Sequence, residues 1–182
     1  HELGKLRATG EDPWDHTVAI LENRTGPPPG HAAGLLKAAL RWRSEPESRR
    51  RLLQGLARFD LTAAQVERIA HPTKRVESGI DVTDEDLATN PYLLVELDLG
   101  GEDSERIGFE TIDHGMLPPS STVLSMADVV ALDDDRRVRA MLCETLRSAS
   151  DAGDTVMSLG DACRRAERSL AHDRRCLPDP VH

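Results

Sequence analysis

Apolar residues recur along this chain in short bursts at three-and-four spacing, and proline, glycine and small polar residues cut the bursts apart. The clearest burst is "DDDRRVRAMLCETLRSASDAG", where Val138, Met141, Leu142 and Leu146 form one stripe, acids come first and Gly153 closes the segment. That order suits a helix, because acids stabilise the N-terminal end of its dipole. Before it, "EDPWDHTVAILENRTG" predicts a short helix after Pro13. The run Pro27-Pro28-Pro29 then acts as a stiff polyproline spacer. "HAAGLLKAALRW" predicts a helix with Leu35, Leu36, Ala39 and Leu40 on its apolar side. Ser44 reads as the cap of a following helix with Leu52, Leu53 and Leu56 inward. Thr62 opens "LTAAQVERIAHP", with Val66, Ile69 and Ala70 inward and Pro72 as its stop.

Three shorter helices are predicted next. Thr83 caps "DEDLA". Asn90 caps a helix with Pro91 at its first position. Ile107-Gly108-Phe109 turns into "ETIDHGML", which Gly115 and Pro118-Pro119 end. After the long helix, Thr155–Met157 reads as a short extended piece, followed by a helix with Leu159, Ala162, Ala166 and Leu170, then a tail.

These elements predict a mainly α fold of short helices, with helix-hairpin-helix-like segments and a small winged-helix-like C-terminal part. The five aromatics agree, because a core built mostly of Leu, Val, Ile and Ala suits helix packing. No apolar run approaches the roughly 20 residues of a membrane span. No secretory leader is visible, and the opening "HELGKL" reads as the interior of a helix, so the chain is expected to be an excised piece of a longer cytoplasmic protein. The odd, widely spaced set Cys143, Cys163 and Cys176 reads as buried thiols kept reduced.

Charge divides the chain more sharply than hydropathy does. A flank at 1–30 holds three bases and five acids. Residues 31–75 hold ten bases and four acids, a net +6. Residues 76–135 hold one base, Arg106, and sixteen acids, a net −15. Residues 136–182 hold nine bases and seven acids. The predicted organisation is therefore an N-terminal flank and spacer (1–30), a basic helical segment (31–75), an acidic hairpin-bearing segment (76–132) and a C-terminal helical segment with tail (133–182). The basic and acidic segments either face each other or face different partners.

Candidate chemistry is sparse. The chain contains no phosphate-cradling GxxxxGK[ST], no GxGxxG, no HExxH and no GxSxG. The clusters "DVTDEDL" and "ALDDDRR" do not meet the calcium-loop pattern and read as helix N-terminal acids, so no metal site is assigned. The chain alone is read as non-catalytic, with no cofactor of its own. The candidate nucleic-acid surface is the basic segment: Arg41, Arg43, Arg49, Arg50, Arg51, Arg58, Arg68, Lys74 and Arg75, with Trp42 as a stacking ring. The competing reading of the same residues is a face salt-bridged to the acidic segment.

One stretch supports a family suggestion. Asn90-Pro91-Tyr92, then Ile107-Gly108-Phe109 with Thr111 and Asp113, then Asp151-Ala152-Gly153-Asp154 before Val156, resemble in order the helical region ahead of the ATPase core in RecD-like DNA helicases. These are superfamily-one helicases related to the exonuclease V alpha subunit. "FDLTAAQVERIAHP" resembles an upstream helical-hairpin segment of the same family, so the likeness spans roughly residues 50–170. It implies an accessory module of an ATP-dependent helicase in DNA repair and recombination. Such a module would guide single-stranded or junction DNA, weakly, or dock on the motor, with ATP and Mg needed only by that motor. The hairpin residues Ile107, Gly108, Phe109 and Thr111 would then approach a phosphate through backbone N–H groups. The chain departs from the family pattern in having one glycine in the turn, Glu110 where a cation would suit a phosphate, and an acidic spacer. The alternative implied by those departures is a protein-interaction or scaffold module without direct DNA contact.

Overall fold

The computed structural model describes residues 13–27, 32–101, 105–117 and 130–170, and these form a mainly helical structure with no sheet among them. Ten helices follow in order: α1 (Pro13–Leu21), α2 (Ala32–Ser44), α3 (Glu47–Leu56), α4 (Ala63–Ala70), α5 (Pro72–Glu77), α6 (Asp84–Thr89), α7 (Leu93–Leu97), α8 (Phe109–Met116), α9 (Asp135–Asp151) and α10 (Leu159–Ser169). The spacer beyond Pro27, the Pro118-Pro119 stop, the tail and Cys176 lie outside the described residues. Cys143 and Cys163 are half-buried free thiols rather than fully buried ones. Among the described residues no helix is long and apolar enough to cross a membrane.

Several helix ends form for local reasons. Thr62 and Thr83 each accept a hydrogen bond from the third residue of the following helix. Gln65 and Asp86 return a bond to the cap's own N–H, completing a capping box at α4 and α6. The capping bonds from Thr83 hold the Asp86 carboxyl below its ordinary range. Other ends differ from the sequence expectation. Ser44 closes α2, its hydroxyl donating to the Arg41 carbonyl, and Pro46 precedes α3 without a side-chain cap. Pro72 does not simply stop α4; it opens a further helix, α5, where its missing N–H costs nothing. Asn90 ends α6, and α7 begins three residues later. Thr155–Met157 is irregular and forms no strand among the described residues, so the winged-helix expectation lacks its wing.

The main core joins the basic, acidic and C-terminal segments. α3 packs on α6, while the long α9 packs against α7, α8 and α10. Leu52, Leu56, Ile69, Ile80, Leu87, Tyr92, Leu94, Ile107, Ile112, Ala140, Met141 and Ala166 are all buried in one cluster. α1 and α2 stand apart. They form a hairpin around a small cluster of their own, Val18, Leu21, Ala39 and Trp42, with Trp14 and Leu53 packed on it; Leu53 also touches the main core. The apolar side expected for α2 is therefore only partly right: Ala39 and Trp42 point inward, whereas Leu36 and Leu40 are exposed.

Four buried residues are a small cluster for holding two helices, and weakly packed units open below the global unfolding free energy. Trp14 and Trp42, the chain's only tryptophans, sit edge to face in this cluster with ring centroids 6.4 Å apart. Tryptophan emission therefore reports the hairpin, while far-UV circular dichroism reports the helices throughout the chain. In urea, the emission change is expected at a lower midpoint than the loss of helical signal. Coincident transitions would show that the hairpin unfolds with the core.

Candidate functional site

The basic segment meets the acidic one along α3, α5 and α6. Arg49 lies 3.4 Å from Asp84 and also donates to the Ala70 carbonyl; Arg75 pairs with the same Asp84. Arg51 reaches Glu85 at 2.7 Å, and Lys74 pairs with Glu67 inside the basic segment. Asp84 and Glu85 open α6, so these arginines neutralise acids that the helix dipole already favours there. Of the remaining predicted DNA contacts, Arg43 donates to the Ala39 carbonyl and Arg41 lies 3.7 Å from Glu45. Arg50 and Arg58 are half-buried. Trp42, the proposed stacking ring, is buried against Trp14.

Arg68 has a different setting. It is buried and donates to the Asp98 carboxylate at 2.7 Å and to the Glu105 carbonyl at 3.1 Å. Asp98, fully buried, also accepts the backbone N–H of Ile107 at 2.9 Å and that of Gly100 at 3.2 Å. This bears on the hairpin. A backbone N–H of the turn that would approach a phosphate in a DNA-binding hairpin is instead taken by the protein's own carboxylate. Ile107 and Phe109 are in the core, Thr111 is half-buried, and Gly108 is the N-terminal boundary of α8.

A second buried carboxylate lies one helix away. Asp113 on α8 receives the Tyr92 hydroxyl at 2.9 Å and both Nε (2.7 Å) and Nη2 (3.1 Å) of Arg137 on α9. Arg137 also donates to the Leu132 carbonyl at 2.8 Å, and its guanidinium carbon stands 5.6 Å from the centre of the Phe109 ring. The Phe109 ring stacks on Tyr92 at 6.0 Å. Burial, and then the Asp113 charge, push the Tyr92 hydroxyl far above the ordinary tyrosine range, so it acts only as a donor. At the start of α9, Asp134 caps the helix, and its hydrogen bond from Arg136 holds its carboxyl low.

Four of the residues that carried the family resemblance converge, Tyr92, Ile107, Phe109 and Asp113, all buried around one knot, whereas Asp151, Ala152, Gly153, Asp154 and Val156 are exposed. The sequence pattern does not single out Arg137, which completes the knot, or Asp98, the buried partner of the Arg68 that was expected to face DNA. A signal was present. Asp113 interrupts the apolar side of "FETIDHGM", and Arg137 precedes the apolar run of α9; a charge in an apolar stripe asks for a partner. Among the described residues no group of three His, Cys, Asp or Glu side chains stands together as a metal-binding cluster. No family model, curated relative or solved structure matches this chain.

Two predictions separate packing from ligand binding. Gly108 has φ −75 and open space where a Cβ would go, so nothing local requires glycine. At Gly115 a Cβ would fall 2.4 Å from the Phe59 ring and 2.8 Å from the Arg58 carbonyl oxygen, so α8 approaches the end of α3 only because that side chain is missing. Gly108→Ser is expected to stabilise by about 0.5 kcal/mol through a better cap and a less flexible unfolded chain. Gly115→Ala is expected to destabilise by about 1–3 kcal/mol through overpacking. Thermal unfolding of the two variants checks the opposite signs.

The Asp113 knot gives the second. Asp113→Ala leaves the fully buried Arg137 guanidinium without its carboxylate and is expected to cost about 3–5 kcal/mol. The double variant Asp113→Ala/Arg137→Met is expected to cost clearly less than the sum of the two single changes. A urea double-mutant cycle measures the coupling, and simple additivity would mean that the pair does not act as a unit.

Proposed function

We propose that this chain is a non-catalytic helical docking module of a cytoplasmic RecD-like DNA helicase, one that meets protein rather than gripping DNA directly. The observation that carries the reading is the pairing of Arg49, Arg51 and Arg75 with Asp84 and Glu85. A DNA-binding surface needs cations free to replace the counterions of the phosphate backbone. Cations already matched by acids on the next helix release little. The acids left over, among them Glu77, Asp81, Glu110, Asp133 and Asp135, are exposed and give the acidic segment a surface suited to a basic partner. The place of such a module ahead of a motor follows from the Asn90-Pro91-Tyr92 and Ile107-Gly108-Phe109 resemblance; ATP and Mg would belong to the motor.

A DNA-guiding role is the second reading, and one observation favours it. Arg41 is 85% exposed at its side chain, and Arg43 and Lys37 are exposed on the same helix. Fluorescence anisotropy of labelled single-stranded and duplex DNA across a salt series decides between the two. The docking reading expects no binding even at low salt. Binding that falls steeply with salt and disappears in Arg41→Ala/Arg43→Ala/Arg50→Ala would establish the DNA-guiding role instead. Those three residues lie outside the α3–α6 ion pairs, so the variant is expected to stay folded.

A further inference from the structure

α2 leaves an unusual face in solvent. Leu36 and Leu40, one turn apart, are 59% and 58% exposed. Lys37 and Arg41 flank them, also one turn apart and exposed, and Arg43 follows. The helix contains no acid, and Glu45 just beyond it approaches Arg41 only to 3.7 Å, outside hydrogen-bonding range. The result is an apolar ridge edged with positive charge, of which Arg41 is loosely paired with Glu45, on a chain whose net charge is −9.

The same chain carries the opposite surface elsewhere. Val76 at the end of α5 is 53% exposed and Leu99 is 68% exposed. The Leu99 N–H bonds the Ser78 carbonyl at 2.9 Å, and its side chain lies over Gly79, where a Cβ would fall 2.9 Å from the Leu99 Cγ. Gly79, at φ +87, both makes the turn and leaves Leu99 its seat. Glu77 follows Val76 in sequence and Asp81 comes two residues after Gly79; both are exposed, and neither has an ion-pair partner among the described residues. Nearby Lys74 is already engaged by Glu67. The patch therefore pairs two exposed aliphatic side chains with two free carboxylates, the complement of two leucines with two cations on α2.

We infer that the outward face of α2 docks onto the Val76–Leu99 patch of a second copy of this chain. Leucines meet Val76 and Leu99 while Lys37 and Arg41 meet Glu77 and Asp81. Each copy uses two different surfaces, so the contact is head-to-tail and can add further copies. The α1–α2 hairpin is joined to the core mainly through Leu53, so it can adjust its angle to seat the ridge. The inference shares Glu77 and Asp81 with the acidic surface of the docking reading and Arg41 with the DNA test, but sedimentation of the chain alone involves neither DNA nor a partner, so its failure leaves that reading untouched.

Sedimentation velocity over a concentration series, at low and high salt, tests it with three proteins. The parent chain is expected to shift to larger species with concentration, and less so at high salt. Leu36→Glu/Leu40→Glu disables the ridge and Glu77→Lys/Asp81→Lys disables the patch; each alone is expected to remain monomeric. All four positions are exposed, and circular dichroism confirms folding. Mixing the two variants leaves one intact ridge and one intact patch, so the mixture is expected to form dimers and stop there. A parent chain monomeric throughout, association that survives in either variant, or a mixture that stays monomeric would each overturn the proposal. So would sedimentation with anionic phospholipid vesicles that depends on Leu36 and Leu40 in a chain that does not self-associate, which would assign the ridge to a lipid surface.

Discussion

Asp113 is an aspartate with almost no contact with water, and that constraint organises the helices around it. An ionised carboxylate is too costly to bury unless its oxygens are filled with donors. Here the hydroxyl of Tyr92 at the entry to α7 and two guanidinium nitrogens from α9 fill them, so one charge on α8 fixes the positions of two neighbouring elements. The Phe109 ring, stacked on Tyr92 and lying beneath the guanidinium, closes the apolar side of the site. Such a pair is often no more stabilising than an apolar substitute, but its fixed bidentate geometry favours one register. A fold made of helices as short as five residues has little else to set register, because each helix alone is marginal.

Asp98 applies the same rule to the loop before α8. Its two oxygens gather Arg68 from α4 and the N–H groups of Gly100 and Ile107, so a carboxylate does within the chain what a bound anion would do from outside. The chain's acid excess thus has two parts. Asp84, Asp98 and Asp113 are spent internally on Arg49, Arg75, Arg68 and Arg137, while Glu77, Asp81, Glu110, Asp133 and Asp135 remain at the surface. A segment count of charge cannot separate those parts, which is why +6 beside −15 left two readings open and the side-chain pairs were needed to weigh them.

Features that depend on a few neighbouring residues were legible in advance. The caps at Thr62 and Thr83 were, because the cap and its third residue lie in one turn. The mainly α class was, because three-and-four spacing and scarce aromatics agree. The long-range pairs were not: Arg68 with Asp98 and Asp113 with Arg137 are separated by 30 and 24 positions, and no local pattern links them. The face of α2 was misread for a related reason. Periodicity marks Leu36 and Leu40 as apolar, but the inward direction was set by Trp42 meeting Trp14 across the hairpin. The wing expected at Thr155–Met157 does not form among the described residues, because a strand exists only with a partner and a lone triplet specifies none.

The resemblance itself takes on a different meaning once its residues are placed. Tyr92, Ile107, Phe109 and Asp113 pack together, so their burial accounts for these residues in this chain without any ligand. The contact that would carry DNA binding in such a hairpin is a turn N–H open to a phosphate, and here Asp98 holds the N–H of Ile107. Gly108 makes the same point, since its backbone is ordinary and its side-chain space is empty. Within α8 the glycine under geometric demand is Gly115, seven residues further on, where the helix rests against Phe59. That contact brings α8 against the end of α3 and links the basic segment to the acidic one.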